Sequence, residues 1–284
     1  MGEIINIDEL KIRLENEIKL ELKRLDTKNK FISFLIFTKR HDAILFLKGL
    51  NELFDSFSLN YKNFNFYDMD EKEIINEIEK LNNDKNAMGI LPIRPLREDL
   101  NEFNVFSSID PNKDIDCLTY INLGKLFSFK PKFIPSVVLA SFEILKDFVL
   151  KKFNDLNYLT GKLAVIVGRS IGVGRPLYII SLMNNLVPLN LHSKVKNLKD
   201  FLILGDIIFA CAGVPELIKK DMIKENSIII DIGINKRADG KIVGDVDLNS
   251  VLEKCLGITP VPHGVSKITN LILIKNYLMS FKFI

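Results

Sequence analysis

The stretch Ala164-Val-Ile-Val-Gly-Arg-Ser-Ile-Gly-Val-Gly-Arg-Pro176 determines the fold that we predict for this chain. It begins with a short apolar, largely β-branched run typical of a buried strand and ends with a proline suited to the first turn of a helix. The glycines between them, Gly168, Gly172 and Gly174, allow backbone N–H groups to approach a ligand closely, and the helix N-terminus favours an anion there. We therefore predict a strand, a pyrophosphate-binding loop and a helix. A tight turn without a ligand is the alternative.

Two polar residues in this loop indicate which dinucleotide it binds. Arg169 and Ser170 follow the first glycine, and a guanidinium beside a dinucleotide loop commonly neutralises an additional ribose phosphate. NADP is therefore favoured over NAD. The segment His192-Ser193-Lys194 follows the next predicted strand, where the adenosine ribose of a bound dinucleotide would lie. A solvated loop is the other interpretation of that segment.

Short apolar runs alternate with amphipathic stretches along the rest of the chain. Strands are predicted at residues 31–37, 64–66, 88–91, 163–167, 187–191, 206–210 and 227–232. Helices are predicted at residues 8–25, from a cap at Asp42, from a capping box at Asp70 and Glu73, at 136–154, at 176–185 and at 268–284. Such alternation requires crossover connections between parallel strands. The predicted fold class is α/β, with both faces of each sheet covered.

The 284 residues suffice for about two domains at roughly 150 residues each. We assign residues 1–140 to a first α/β domain and residues 141–267 to a second, Rossmann-like domain that binds NADP. An irregular stretch rich in proline, residues 92–135, precedes the long helix that would join them. The apolar last helix, 268–284, is predicted to return and complete the first domain.

Composition excludes several classes of protein. Apolar residues make up 47% and charged residues 26% of the chain, and the net charge is +3, so neither disorder nor a nucleic-acid or membrane surface is indicated. No apolar run reaches the roughly 18 residues that span a bilayer, and the acidic amino terminus is unlike a signal peptide. A cytoplasmic location is expected. The three cysteines are far apart, which argues against disulfides and against a metal site.

Several short segments of the second half occur together in a known family. They are Gly168-Arg-Ser170, Val173-Gly-Arg-Pro176, His192-Ser193, Ala212-Gly-Val-Pro215, Ile230-Asp-Ile-Gly-Ile-Asn235, Gly244-Asp-Val-Asp247 and Ile258-Thr-Pro-Val-Pro262. Gly89-Ile-Leu91 and Lys113-Asp-Ile-Asp116 are weaker matches in the first half. In order and spacing, these segments resemble the methylenetetrahydrofolate dehydrogenase/methenyltetrahydrofolate cyclohydrolase family.

The resemblance implies two α/β domains with a cleft between them, NADP on the second, a tetrahydrofolate derivative on the first, and usually a homodimer. The cofactor-binding residues predicted from the loop and the resemblance are Gly168, Arg169, Ser170, Gly172, Gly174, Ser193 and Ile234. Asp116 falls on the aspartate that the family uses to hold the pterin ring. A carboxylate suits that task because it accepts two parallel N–H bonds.

The first half departs from the family's pattern where a catalytic lysine is expected. The family carries Tyr-Val-x-x-Lys after the first strand of this domain, and ungapped placement puts Phe46 and Leu50 at the tyrosine and the lysine. We assign the catalytic role to Lys48, which a small register shift would bring into place. Lys39 is a second candidate, and a surface lysine is the alternative for both.

Other changes surround the predicted pterin site. The glutamine that accompanies the family's lysine is Ile93 here, and its glycine-rich segment after the last strand becomes Pro262-His-Gly-Val-Ser-Lys267. His263 is either a new acid or base or a solvated loop histidine.

These departures affect the two activities of the family unequally. Hydride transfer depends mainly on holding two carbons in position, whereas adding water needs a placed acid or base, worth about 10²–10⁴ in rate. We therefore predict an NADP-dependent methylenetetrahydrofolate dehydrogenase with a weakened cyclohydrolase. The alternatives are a degenerate, dinucleotide-binding relative that acts as a regulatory or partner subunit, and an NADP enzyme for another small substrate.

Overall fold

The computed structural model describes residues 2–283, in which the strands form two parallel sheets and a short antiparallel ribbon. In chain order the strands are β1 (Glu3–Ile4), β2 (Phe31–Ile36), β3 (Asn60–Asn65), β4 (Ala87–Ile93), β5 (Leu163–Val167), β6 (Val187–Leu191), β7 (Ile207–Ala210), β8 (Ile228–Asp231), β9 (Asn235–Lys236), β10 (Ile242–Val243) and β11 (Gly257–Ile258). The helices are α1 (Asp8–Leu22), α2 (His41–Ser56), α3 (Glu71–Asn83), α4 (Glu102–Ser107), α5 (Tyr120–Phe127), α6 (Ser136–Phe153), α7 (Gly174–Met183), α8 (Lys199–Leu202), α9 (Leu248–Val251) and α10 (Val265–Ser280). Short 3₁₀ turns lie at Leu156–Leu159 and Lys220–Met222.

The described residues divide into two compact units. The first unit comprises residues 14–134 and 273–283, and the second comprises residues 2–13 and 135–272. The prediction of a two-domain α/β fold is confirmed. The last helix was predicted to complete the first domain from residue 268, and its residues from 273 onward belong to the first unit. The boundaries differ from those predicted. Residues 2–13 belong to the second unit because β1 pairs in parallel with β11, and the second unit begins again at residue 135, ahead of the predicted boundary at 140.

The first unit is built on a three-stranded parallel sheet in the order β3-β2-β4. Every residue of β2 and β4 is buried, as expected for strands covered on both faces. α3 begins with the predicted capping box, in which the Asp70 carboxylate accepts the Glu73 N–H at 2.9 Å and the Glu73 carboxylate accepts the Asp70 N–H at 2.9 Å. It buries Ile74, Ile78 and Leu81.

Three local predictions for the first unit were wrong. β3 begins at Asn60, four residues before the predicted start, because its polar first half forms a half-exposed edge strand rather than an apolar run. Asp42 does not cap α2, since Arg40 is the N-cap residue and the Asp42 carboxylate pairs instead with the Arg40 guanidinium at 2.8 Å. The stretch 92–135 also contains two short helices, α4 and α5.

The second unit is built on a six-stranded sheet in the order β1-β11-β8-β7-β5-β6, in which all neighbouring strands run parallel. After β5 the chain adds β6 on one side and then crosses to add β7 on the other. The strand order therefore reverses between β5 and β7. In open parallel sheets, ligands bind outside the carboxyl ends of the strands at such a reversal.

Candidate cofactor and folate sites

The loop after β5 is a close-packed glycine turn at the point where the strand order reverses. Gly168 has a φ of +132°, and a Cβ atom on it would overlap the carbonyl oxygen of Cys211. A Cβ on Gly174, the first residue of α7, would in turn overlap the carbonyl oxygen of Gly168. Both positions therefore require glycine for steric reasons, and the backbone itself forms the surface of the loop.

Two hydrogen bonds between Gly168 and the neighbouring strand β6 hold the loop in place. The Gly168 N–H donates to the Leu191 carbonyl at 2.9 Å, and the Asn190 amide donates to the Gly168 carbonyl at 2.6 Å. On the far side, the Arg175 N–H donates to the Ser170 carbonyl at 3.1 Å. The turn that leads into α7 is thus fixed at both ends by hydrogen bonds. The N-terminal end of a helix favours an anion.

A cavity of about 420 Å³ opens beside this loop. Segments that follow β5, β6 and β7 line it: Val167, Gly168, Arg169, Ser170, His192, Ser193, Val195, Leu198, Cys211, Ala212, Val214 and Leu217. Gly168, Arg169, Ser170 and Ser193, all predicted as cofactor-binding residues, therefore lie around one cavity. Arg169 and Ser193 are exposed to solvent, so their polar groups are available to a ligand.

The other predicted cofactor residues lie away from that lining. Gly172 and Gly174 are buried in the turn into α7, where they shape the loop. Ile234 is 63% exposed, between β8 and β9. Cys211 lines the cavity, and burial raises the pKa of its thiol to about 12, so the thiol is neutral at physiological pH.

Asp245, which we did not single out from the sequence, anchors one wall of the cavity. Its buried carboxylate accepts the N–H groups of Ala212, Gly213 and Val214. The signal available in the sequence was Gly244-Asp-Val-Asp247, one of the segments that carry the family resemblance. The partners of Asp245 lie about 30 residues earlier in the chain, so no local pattern indicated them.

In the first unit, Asp116 lies inside a turn organised by a buried carboxylate, that of Asp114. Asp114 is fully buried and accepts hydrogen bonds from the N–H groups of Leu118 and Thr119 at 2.8 and 2.9 Å. The Thr119 hydroxyl at 2.7 Å and the Asn122 amide at 2.8 Å also donate to it. Burial raises the pKa of Asp114 above its ordinary value, while these donors act against that rise. The half-buried Asp116 lies inside this tightly held turn.

The neighbours of Asp116 have structural roles. Lys113 is buried, and its ammonium donates to the carbonyls of Leu81 and Asp84 at 2.8 and 2.7 Å, which satisfies the end of α3. Cys117, which follows Asp116, has a left-handed φ of +57°. Glycine adopts this conformation most readily, so the turn holds Cys117 in an uncommon one.

The lysine candidates occupy solvent-exposed positions, whereas Leu50, which ungapped placement puts at the family's lysine, is buried and Phe46, at its tyrosine, is exposed. The Lys48 ammonium on α2 lies 3.8 Å from the Glu52 carboxylate, and its side chain is 72% exposed. Leu50 and Ile93 are fully buried and carry no titratable group. The Lys39 ammonium lies over the ring of Tyr67, 5.0 Å from its centre.

His263, the remaining candidate acid or base, is exposed just before α10 and has a φ of +77°. Across residues 2–283, no three His, Cys, Asp or Glu side chains come together as a metal-binding group. Over the same range no helix is long and apolar enough to span a membrane.

Sequence models of two protein families match the chain. The "Tetrahydrofolate dehydrogenase/cyclohydrolase, catalytic domain" matches residues 5–116. The "Tetrahydrofolate dehydrogenase/cyclohydrolase, NAD(P)-binding domain" matches residues 148–283.

Individual proteins match over nearly the whole chain. "Bifunctional protein FolD" of Clostridium beijerinckii is 34% identical over 97% of this chain and 96% of its own length. The crystal structure of the bifunctional FolD methylenetetrahydrofolate dehydrogenase/cyclohydrolase of Campylobacter jejuni has a TM-score of 0.91, 29% identity and 99% coverage of both chains. The structure of a 5,10-methylenetetrahydrofolate dehydrogenase from the silkworm, Bombyx mori, has a TM-score of 0.88 and 30% identity, and it covers 99% of this chain and 98% of its own.

Proposed function

The chain belongs to the tetrahydrofolate dehydrogenase/cyclohydrolase family, and from that premise we propose that it oxidises 5,10-methylenetetrahydrofolate to 5,10-methenyltetrahydrofolate with NADP. Hydrolysis of the product to 10-formyltetrahydrofolate is the second activity. The observation that carries this proposal is the glycine turn beside the 420 Å³ cavity, where a Cβ on Gly168 would overlap the Cys211 carbonyl.

The residues around the cavity suit NADP. When bound, this cofactor accepts a hydride from the substrate. The loop that starts at Gly168 lets its backbone approach the pyrophosphate closely, and the N-terminal end of the α7 dipole favours an anion there. Arg169 and Ser193 line the same cavity and are exposed, so they supply a charge and a hydroxyl for the additional ribose phosphate. Gly172, Gly174 and Ile234 complete the proposed set.

Asp116 is the residue that we propose holds the pterin ring. It lies in the turn that Asp114 fixes through four hydrogen bonds, so the carboxylate starts from a preorganised backbone. Preorganisation reduces the entropy lost when a ligand is bound. A carboxylate there can accept two N–H bonds from a 2-amino-pyrimidinone.

Lys48 is the acid or base that we propose for the cyclohydrolase step. It is the one lysine in the sequence of α2, and its exposed ion pair with Glu52 at 3.8 Å is a weak restraint on its side chain. Leu50 and Ile93 are buried and inert, so the lysine and glutamine functions of the family are missing from those positions. We therefore expect cyclohydrolysis to be the slower of the two activities.

The test combines binding and turnover with the purified wild-type protein. Titration calorimetry should show binding of NADP and of a folate analogue, and absorbance assays should show methylenetetrahydrofolate-dependent reduction of NADP that exceeds cyclohydrolysis. Absence of NADP binding would refute the proposal. Binding of NADP without a folate would support another substrate, and binding of NADP without turnover would support a regulatory relative, the alternative that full-length similarity to bifunctional enzymes disfavours.

We further propose that the protein works as a homodimer in the cytoplasm. The family resemblance supports the dimer, and the three cysteines are free thiols, which suits a reducing compartment. Analytical ultracentrifugation should give about twice the 32.4 kDa chain mass, and a monomer at micromolar concentration would contradict the dimer. Cell fractionation tests the compartment.

A further inference from the structure

One wall of the proposed cofactor cavity is an irregular segment in which three backbone N–H groups converge on a single carboxylate. The segment follows β7 and supplies Cys211, Ala212, Val214 and Leu217 to the cavity lining. The N–H groups of Ala212, Gly213 and Val214 all donate to Asp245, at 2.5, 3.0 and 3.0 Å. Three consecutive N–H groups that converge on one anion form a nest of the kind that otherwise binds phosphate or another anion.

The Asp245 carboxylate accepts four hydrogen bonds in all. It is fully buried, and its fourth hydrogen bond comes from the Asn235 amide at 2.8 Å. Backbone hydrogen bonds also hold the cavity segment. The Glu216 N–H donates to the main-chain carbonyl of Gly244, and the Ile218 N–H donates to the main-chain carbonyl of Asp245, both at 3.0 Å. Because the N–H groups of residues 212–214 are bonded to the carboxylate, they fix the conformation of this segment and are not available to the cofactor.

A second buried carboxylate connects this arrangement to the sheet. Asp231, the last residue of β8, accepts the N–H groups of Asp245 and Val246 at 3.0 Å each and that of Gly233 at 3.1 Å. A Cβ on Gly244 would overlap the Asp231 carboxylate, so the turn at 244 approaches the strand end as closely as glycine permits. A continuous set of hydrogen bonds therefore runs from the end of β8 through Asp245 to the cavity wall.

We infer that Asp245 is a positioning residue for cofactor binding, which sets the conformation of residues 212–214 and thereby the affinity of the cavity for NADP. This inference rests on the proposed function only for the identity of the ligand. The wall conformation is a property of the protein without ligand. Hydrogen bonds to a charged acceptor are stronger than those between neutral groups, and a buried N–H without a partner is costly. Residues 212–214 are therefore expected to change conformation when the carboxylate of Asp245 is altered.

The test uses Asp245→Asn and compares two measurements. Whichever way the new amide is turned, its NH₂ group faces two of the four donors that the carboxylate accepts. We expect hydrogen exchange of the 212–214 amides in the ligand-free protein to become at least tenfold faster, and the Kd for NADPH, followed by its fluorescence, to rise at least tenfold. The KM for the folate should stay within about twofold. Loss of folded protein alone would lower the binding amplitude and the apparent kcat but would not raise the Kd for NADPH.

Asp206→Asn is the matched control. Asp206 also accepts a backbone N–H in this sheet, from Leu163 at 2.9 Å, and pairs with Lys224 at 2.6 Å, but it directly precedes β7 and so lies at the opposite end of that strand from the cavity. We expect it to lower stability while leaving the exchange at 212–214 and the Kd unchanged. Should Asp245→Asn fail to fold, Asn235→Ala removes a single donor to Asp245. We then expect the exchange rate of the 212–214 amides and the Kd for NADPH each to rise at least twofold.

The outcomes separate the two claims. Unchanged exchange at 212–214, or faster exchange with an unchanged Kd for NADPH, overturns the role of Asp245. A wild-type protein that binds no NADPH refutes the proposed function, and the exchange measurement still shows whether Asp245 holds the wall.

Discussion

Replacing Gly168 with alanine tests whether the glycine turn is the cofactor cradle. The substitution makes two changes at once, because the backbone has a φ of +132° and because the new Cβ would overlap the Cys211 carbonyl oxygen. A non-glycine residue in so sparsely populated a region costs on the order of 1–3 kcal/mol. Forcing extra volume into a packed site costs about 1–3 kcal/mol more. We therefore expect the free energy of unfolding to fall by roughly 2–6 kcal/mol.

Two other glycines separate these contributions. Gly161 has a φ of +73° with nothing within 4 Å of its Cβ position, so Gly161→Ala should show only the backbone cost, about 1–2 kcal/mol. At Gly174, the new Cβ would meet the Gly168 carbonyl oxygen, so Gly174→Ala should disturb the same loop through steric overlap. Urea denaturation gives the stability of each variant.

The binding measurement carries the functional conclusion. Relief of the overlap at Gly168 must move either the loop or the backbone after β7, which both line the cavity. A displacement that costs 1.4 kcal/mol of binding free energy raises the Kd tenfold, so we expect the Kd for NADPH to rise at least tenfold in Gly168→Ala and Gly174→Ala and to be unchanged in Gly161→Ala. The reasoning is refuted if Gly168→Ala binds NADPH as the wild type does, or if it is destabilised no more than Gly161→Ala.

Three further predictions concern acid and base groups. Burial raises the pKa of Asp231 to about 7 from its ordinary 3.8, so its contribution to stability is present below pH 4 and is lost as the pH rises through 7. The free energy of unfolding of wild type should thus fall relative to Asp231→Asn by roughly 2–3 kcal/mol between pH 5 and pH 8, and parallel pH profiles in thermal melts would contradict this. Lys48→Met should slow cyclohydrolysis about 10²-fold or more with little change in NADP reduction, whereas Lys39→Met serves as the comparison; equal loss in both half-reactions would exclude the assigned role. Asp116→Asn should raise the KM for the folate about tenfold or more without changing the Kd for NADPH, and an unchanged KM would remove Asp116 from the pterin site.

The second unit was largely predictable because its determinants are local. The β-branched run at β5 coincides with the predicted strand, residues 163–167, and β6 matches at 187–191. A buried parallel strand is a continuous apolar run, and a glycine turn followed by proline marks the loop into the next helix. The capping box at Asp70 is also local, since its two residues lie three apart.

The predictions from sequence failed where the position of a strand in its sheet, or pairing with a segment far away in the chain, determined the structure. The first half of β3 is polar because it lies at the edge of its sheet, and only the order β3-β2-β4 reveals that position. β1 pairs with β11, more than 250 residues away in the chain.

The amino-acid sequence by itself determined the fold class, the glycine turn and the family, because each depends on residue types at short and definite spacings. The tertiary structure alone decided which of these residues share a cavity, and it brought Asp245 to the N–H groups of residues 212–214. A hydrogen bond between segments far apart in the chain leaves no periodic pattern in either of them. Its energy depends on burial and distance, which exist only after the sheet has formed.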